Sequence, residues 1–276
     1  MLNIGTAGTP HSTPKSKNGT IAGIERVREL GLDVMELEFV RGVYINNEDK
    51  AREVKEAAIK NNVKLSVHAP YFINLNSQEK NVIKQSIERI MQSAEAGHLC
   101  GAQNIVIHSA FYGKGEHDTA YEIVKNNFEL MSDEIDNLGY NVILRPELMG
   151  KHSQFGSLDE LIQLSNDVKH VLPCIDFGHF IARYGEKSNN YESFCNVLER
   201  MKEIKKENVL KNMHIHFSDI EFTDKGERKH LVFDEGTLKW KDMVKAWKKY
   251  EIEGTAICES PNIEEDALKA KKEYLN

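Results

Sequence analysis

Leu172-Pro173-Cys174-Ile175-Asp176-Phe177-Gly178-His179 is an apolar run that ends in a carboxylate, with an imidazole three residues beyond it. The same ending recurs along the chain. Leu65-Ser66-Val67 stops at His68, Ile105-Val106-Ile107 at His108, Val142-Ile143-Leu144 leads to Glu147, Met213-His214-Ile215 to His216, and Thr255-Ala256-Ile257-Cys258 to Glu259. Side chains two apart share one face of a strand. Ser66 with His68, Arg145 with Glu147, Cys174 with Asp176 and His214 with His216 are therefore same-face pairs, the second member of each lying nearer the strand's C-terminal end. Buried-type segments thus deliver cation-binding side chains at one common end.

Outward from these runs, strand-type segments fall at residues 2–6, 34–39, 64–68, 104–108, 141–147, 170–176, 211–217 and 254–259. Helix-type patterns fall at 21–30, 47–61, 79–96, 120–135, 157–164, within 180–205, at 238–248 and at 263–274. Ser157 followed by Glu160 is a capping box that opens one of these helices. Residues 8–19, rich in Gly, Pro and Ser, read as a loop, and so does the polar stretch between Phe217 and Leu238. Alternation of this kind means parallel strands joined by helical crossovers. No composition break divides the chain, so the reading is one α/β domain over residues 1–276, an eightfold (β/α) TIM barrel with its site at the C-terminal strand ends. A doubly wound open sheet is the structural runner-up, but it gathers ligands at one switch point rather than at six strand ends.

A chain of 276 residues, 40% hydrophobic and 29% charged, can bury a large core. It has no run of about 18 apolar residues that would cross a membrane, and its start lacks the basic and apolar regions of a signal peptide. The expectation is a cytoplasmic monomer with no membrane partner. The four cysteines show no C-x-x-C spacing, which argues against a disulfide framework or a thiolate zinc site, and Cys174 and Cys258 read as small core residues. A formal charge of −7 argues against nonspecific nucleic-acid binding through a broad basic face, unless bound divalent cations offset it.

Crowding several imidazoles and carboxylates into one pocket is unfavourable without a cation. Nitrogen and carboxylate donors without thiolates suit Zn2+, with Mn2+ or iron as alternatives. A carboxylate shared between two cations can hold them about 3.5–4 Å apart with a hydroxide between them, the arrangement used to cleave phosphodiesters.

His68-Ala69-Pro70-Tyr71-Phe72-Ile73-Asn74, Asn104-Ile105-Val106-Ile107-His108, Pro146-Glu147, Asp176-Phe177-Gly178-His179, His216-Phe217-Ser218-Asp219 and Cys258-Glu259-Ser260 resemble, in order, the endonuclease IV (apurinic/apyrimidinic endonuclease family 2) pattern. The resemblance implies a TIM barrel of the xylose isomerase-like superfamily that uses two or three Zn2+ ions to cut duplex DNA 5′ to an abasic site, through attack of a metal-bound hydroxide. It implies that His68 and His108 hold one zinc, that Glu147 bridges it to a second held by Asp176, His216 and Glu259, and that His179 and His230 hold a third. Glu147 and Glu259 would be the catalytic carboxylates, and Tyr71 and Phe72 would belong to a loop that wedges into DNA. The pattern departs at Arg228, where the family carries an aspartate ligand of the third zinc, and the neighbouring carboxylate is Glu227.

A sugar isomerase or epimerase of the same superfamily is the competing reading. It needs only Glu147, Asp176, His216 and Glu259 around one manganese or similar ion, with Glu147 and Glu259 exchanging a proton beside a carbonyl. A metal-dependent binding module without catalysis is a third. His214 reads as a deeper barrel-lining residue bonded to a neighbour. His11, His98, His117, His152 and His170 read as ordinary surface residues, and Arg145 as an ion-pair partner of Glu36 or Glu38.

Overall fold

The apolar runs become β1 Leu2–Ala7, β2 Val34–Glu38, β3 Lys64–His68, β4 Asn104–Ile107, β5 Ile143–Pro146, β6 Cys174–Asp176, β7 Met213–Phe217, β8 Asp219–Thr223, β9 Gly226–Leu231 and β10 Gly254–Cys258. These come from a computed structural model that describes residues 1–14 and 19–276; residues 15–18, part of the loop read at 8–19, lie outside the described residues. All but β8 and β9 join one eight-stranded parallel sheet in the order β5-β4-β3-β2-β1-β10-β7-β6. Bridges pairing Leu144 with Val171 and Glu147 with Cys174 bring the outer strands together and close the barrel. The fold is the eightfold (β/α) TIM barrel read from the sequence.

The helices α1 Gly19–Glu29, α2 Glu48–Asn61, α3 Lys80–Cys100, α4 His117–Leu138, α5 Leu158–Asp167, α6 Phe177–Tyr184, α7 Tyr191–Arg200, α8 Trp240–Lys249 and α9 Glu264–Leu275 cover the sheet. Most bury one stripe, whereas α6 is buried continuously from Phe177 to Arg183. In α4 the stripe is Ala120, Tyr121, Val124, Phe128, Met131 and Ile135, the helical spacing of three and four. In α8 it centres on Trp247, which packs edge-on to Phe217 of β7 and also meets Phe177 of α6. Burying one such large side chain is worth about 2 to 3 kcal/mol. The capping box forms as read: the Ser157 hydroxyl accepts from the Glu160 amide, and the Glu160 carboxylate accepts from the Ser157 amide. No helix among the described residues is long and apolar enough to cross a membrane.

Three sequence readings need correction. Strand β6 begins at Cys174 rather than near residue 170, because Pro173 has no N–H to give to the ladder. The polar stretch after Phe217 is not a loop but the antiparallel hairpin β8–β9. Arg145 does not pair with Glu36 or Glu38. It is buried, and its guanidinium donates to Asn104 Oδ1, Pro173 O, and both Asn212 O and Oδ1. Arg145 lies two residues before Glu147 on the inner face, so it points into the barrel one layer deeper than the strand ends, away from Glu38 at the mouth.

Candidate metal centre

Parallel register places the strand ends side by side. Glu38 lies opposite His68, Asp176 opposite His216, and Ile257 opposite His216 on its other flank, so Glu259 sits just past that row. The C-terminal ends of β3, β5, β6, β7 and β10, with His108 one residue past β4, converge on one mouth. Two groups of donor atoms, each within 4.8 Å of one another, form there: His68, His108 and Glu147, and Glu147, Asp176, His216 and Glu259. Glu147 is common to both. Its Oε2 lies 3.0 Å from His108 Nε2 and 3.5 Å from His68 Nε2, while Oε1 lies 3.5 Å from His216 Nδ1.

Local contacts decide which atom each residue turns to the mouth. His68 Nδ1 is bonded to Ala69 O at 2.8 Å, which leaves Nε2 facing inward. Asp176 caps α6, its Oδ1 accepting from the His179 amide at 2.6 Å and its Oδ2 remaining free. His179 Nδ1 is bonded to Leu148 O at 3.0 Å, so its Nε2 faces out of the ring of strands toward Glu227. His216 turns Nδ1 toward Glu147 and Glu259, and its Nε2 lies 2.8 Å from Glu36 Oε1. Carboxylates behind ligating histidines orient them in metal sites generally. Glu36 itself is buried and anchored by Ser66 Oγ at 2.6 Å and His214 Nε2 at 3.0 Å. His214 is the deeper barrel-lining residue the sequence suggested, bonded on its other side to Thr255 Oγ1. Cys174 forms a further group with it and His216, and burial pushes its thiol well above the ordinary range.

His68 Nε2, Glu147 Oε1, Asp176 Oδ2 and His216 Nδ1 are buried and make no hydrogen bond among the described residues. Buried polar atoms normally find partners. These residues divide between the two donor groups, His68 in one, Asp176 and His216 in the other and Glu147 in both, and Glu147 Oε1 also lies 3.0 Å from His179 Nδ1; such a set fits divalent cations. The electrostatics agree. Burial alone would raise Glu147, yet the neighbouring imidazoles of His108 and His216 hold it well below the carboxylate range. His108 is itself pushed down by burial, against the raising effect of Glu147. Burial pushes Asp176 up to about 6 and Glu38 up to about 8. Glu259 is also raised by burial but brought down to about 2, chiefly by His216.

The hairpin brings a third set. His230 of β9 lies with its ring 5.5 Å from that of His179, and Glu227 Oε2 lies 3.2 Å from His179 Nε2. The register explains why Glu227 faces inward. Glu221 pairs with Lys229 and Phe222 with Glu227, so Arg228 is an extra residue, a β-bulge. Without the bulge, Arg228 would share the face of His230; with it, Glu227 takes that face. Arg228 turns outward, 62% exposed, onto Glu221 at 2.6 Å.

The aromatic residues singled out from the sequence differ in setting. Tyr71 packs over the rings of His68 and His108 at 4.9 and 5.1 Å, whereas Phe72 is 67% exposed at the loop tip. Arg89 of α3 donates to Phe72 O and steadies that loop. Of the histidines set aside as surface residues, His98 stacks on Tyr140 and His170 pairs with Asp136, and none of the five joins a donor group among the described residues. Sequence reading missed Glu36 as the partner of His216. The alternation Glu36, Leu37, Glu38 on β2 was the available signal. It also missed the hairpin, which Ile220-Glu221-Phe222-Thr223 followed by Asp224-Lys225-Gly226 does announce as alternation and a turn. A cavity of 670 Å³ opens at the opposite end of the barrel, beside Lys55, Lys64 and Asn212, but among the described residues no set of cation-binding donors lines it.

A family model described as "Xylose isomerase-like TIM barrel" matches residues 24–276. The uncharacterized protein MJ0133 of Methanocaldococcus jannaschii is 40% identical over 274 residues, covering 99% of this chain and 97% of that protein. A "Probable endonuclease 4" of Ureaplasma parvum is 30% identical over 138 residues, 47% of this chain and 45% of that one. Among solved structures, a D-tagatose 3-epimerase-like protein superposes with a TM-score of 0.72 at 21% identity, over 99% of this chain and 97% of that one. Endonuclease IV from Thermus thermophilus superposes with a TM-score of 0.68 at 16% identity, over 98% and 97%. At these identities the structural matches establish the shared barrel alone.

Proposed function

This chain belongs to the xylose isomerase-like TIM barrel family, and from that premise we propose that it is a metal-dependent endonuclease that cuts duplex DNA on the 5′ side of an abasic site. The observation that carries the reading is the sharing of Glu147 between two donor groups. A sugar isomerase or epimerase of this barrel needs only the group of Glu147, Asp176, His216 and Glu259. The second group, His68 and His108 with Glu147, provides for a second cation, which favours phosphodiester chemistry. The similarity to endonuclease 4 over about half the chain supports the same choice.

In this proposal His68 and His108 hold one Zn2+, and Asp176, His216 and Glu259 hold another with Glu147 between them. His179, His230 and Glu227 form the third set, with Glu227 standing in for the aspartate that Arg228 replaces. When bound, the cations supply a nucleophile from water at neutral pH and offset charge on the leaving oxygen. The chain's own residues do the positioning. Glu36 fixes the ring of His216, Asp176 fixes the first turn of α6 and with it His179, and Lys151, near Glu227 at the cavity rim, faces the incoming phosphate. Tyr71 covers the ligand histidines, and Phe72 projects from the same loop to fill the gap left by the missing base, at an unstacking cost of a few kcal/mol.

The test is a labelled duplex carrying one abasic-site analogue, incubated with zinc-loaded protein and with a chelator-treated sample. A metal-dependent nick on the 5′ side supports the proposal. If no nick appears while a panel of ketoses or aldoses is interconverted, the epimerase reading replaces it.

A further inference from the structure

The cavity at the N-terminal end of the barrel is floored by side chains from the first positions of the strands. Lys64 shares the inner face of β3 with Ser66 and His68, and Asn104 shares that of β4 with Val106. Arg145 lies one pleat further in, buried and in no ion pair among the described residues. Oxygens of Asn104, Pro173 and Asn212 hold its guanidinium, and burial pushes it down to about 9. The Lys206 ammonium is also held by main-chain carbonyls alone, those of Val168, Lys169 and Val171, and burial, helped by the charge of Arg145, pushes it down to about 8. Buried charges are ordinarily paired.

The donors on the cavity side are unused. Asn104 and Asn212 turn Oδ1 to Arg145, and their NH2 groups, without a hydrogen bond among the described residues, are left for the cavity that both residues line. Lys55 of α2 and Lys64 line it as well and join no ion pair among the described residues. The acid on its wall, Glu253, is already neutralised, 3.0 Å from the Met1 ammonium and 3.1 Å from Lys211 Nζ. Ala58, Ile59 and Val63 add an apolar wall on which Ile59 is 70% exposed.

We propose that this cavity binds a small phosphate monoester, its phosphoryl group set against the Asn104 and Asn212 amides beside Lys55 and Lys64 and its organic part on the wall of Ile59. A phosphoryl group brings three acceptor oxygens to these four donor groups and supplies the negative charge that Arg145 lacks. A carboxylate brings two. The volume of 670 Å³ suits a small-molecule site, which spans about 300–1,000 Å³. The site shares no residue with the donor groups at the mouth and does not rest on the reaction there.

The experiment titrates phenyl phosphate into zinc-loaded protein carrying 13C-labelled isoleucine methyl groups. Ile59 reports this cavity, and Ile263 reports the mouth at the other end. The expected result is a saturable shift at Ile59. Lys55→Gln and Lys64→Gln should each weaken it about tenfold, the range of a hydrogen bond to a charged group. Both lysines are exposed, so Tm and zinc count should hold. An equal shift with benzyl alcohol, or unchanged affinity in the double variant, overturns the proposal. So does a shift confined to Ile263, which puts the phosphate at the mouth alone. A lesion-free duplex that shifts Ile59 when phenyl phosphate does not also overturns it, since this end would then meet a nucleic-acid backbone.

Discussion

Replacing Gly226 by alanine tests how the hairpin is held over the mouth. Gly226 sits at φ +99°, and a Cβ there would lie 2.4 Å from Gly150 O and 2.7 Å from Lys151 Cα. Both are backbone atoms, so no rotamer change relieves the contact. The left-handed backbone costs an L side chain about 1–2 kcal/mol, and forcing extra volume into a packed contact costs about 1–3 kcal/mol more. The sum, about 2–5 kcal/mol, corresponds to a Tm drop of roughly 5–10 °C if the hairpin and barrel unfold together. The same displacement moves Glu227, the next residue, away from His179, and His230 with it. Calorimetry should show the lower Tm, amide exchange across residues 219–231 should speed up, and the zinc count should fall by the ion held through His230. A variant with wild-type Tm, exchange and zinc content would refute the claim that the contact of Gly226 with the Gly150 loop positions these proposed ligands.

Glu147→Gln keeps the shape but removes a ligand from both donor groups, so zinc affinity and activity should fall together, by about 100-fold or more; equilibrium dialysis showing unchanged zinc stoichiometry and turnover would end the bridging role. Glu36→Gln leaves every proposed ligand in place but weakens the hold on His216, and the expected loss in metal affinity is about 10- to 100-fold, with equal affinity in the two proteins as the refuting result. Burial raises Glu264, but the amides of Ser12 and His11 donate to its carboxylate and bring it below its usual value. Its contribution to stability is therefore complete above the unfolded pKa of about 4.3 and is lost as pH falls through the lower folded value. Glu264→Gln should be less stable than wild type at pH 7 and lose less on acidification below about pH 5; parallel pH–stability curves would count against the contact.

The sequence determined the barrel and the identity of its strand-end donors by itself, because both are local. Period-two alternation fixes which side chains share a face, and a run that ends in His68, His108 or Asp176 ends so whatever lies around it. The capping box at Ser157 was legible for the same reason, since its partners are three residues apart. What the sequence left open depends on residues distant in the chain. Arg145 alternates with Glu147 and was read as an ion-pair partner of Glu36 or Glu38, yet its layer in the barrel gives it Asn104, Pro173 and Asn212 instead. Glu36 becomes the partner of His216 only because β2 and β7 face each other across the barrel interior, 180 residues apart in sequence. The choice between Arg228 and Glu227 turns on one bulged residue in β9, since a shift of one position exchanges the two faces of a strand. That exchange is set by the pairing of β9 with β8 and by the docking of Gly226 on Gly150, neither of which the period of β9 alone contains.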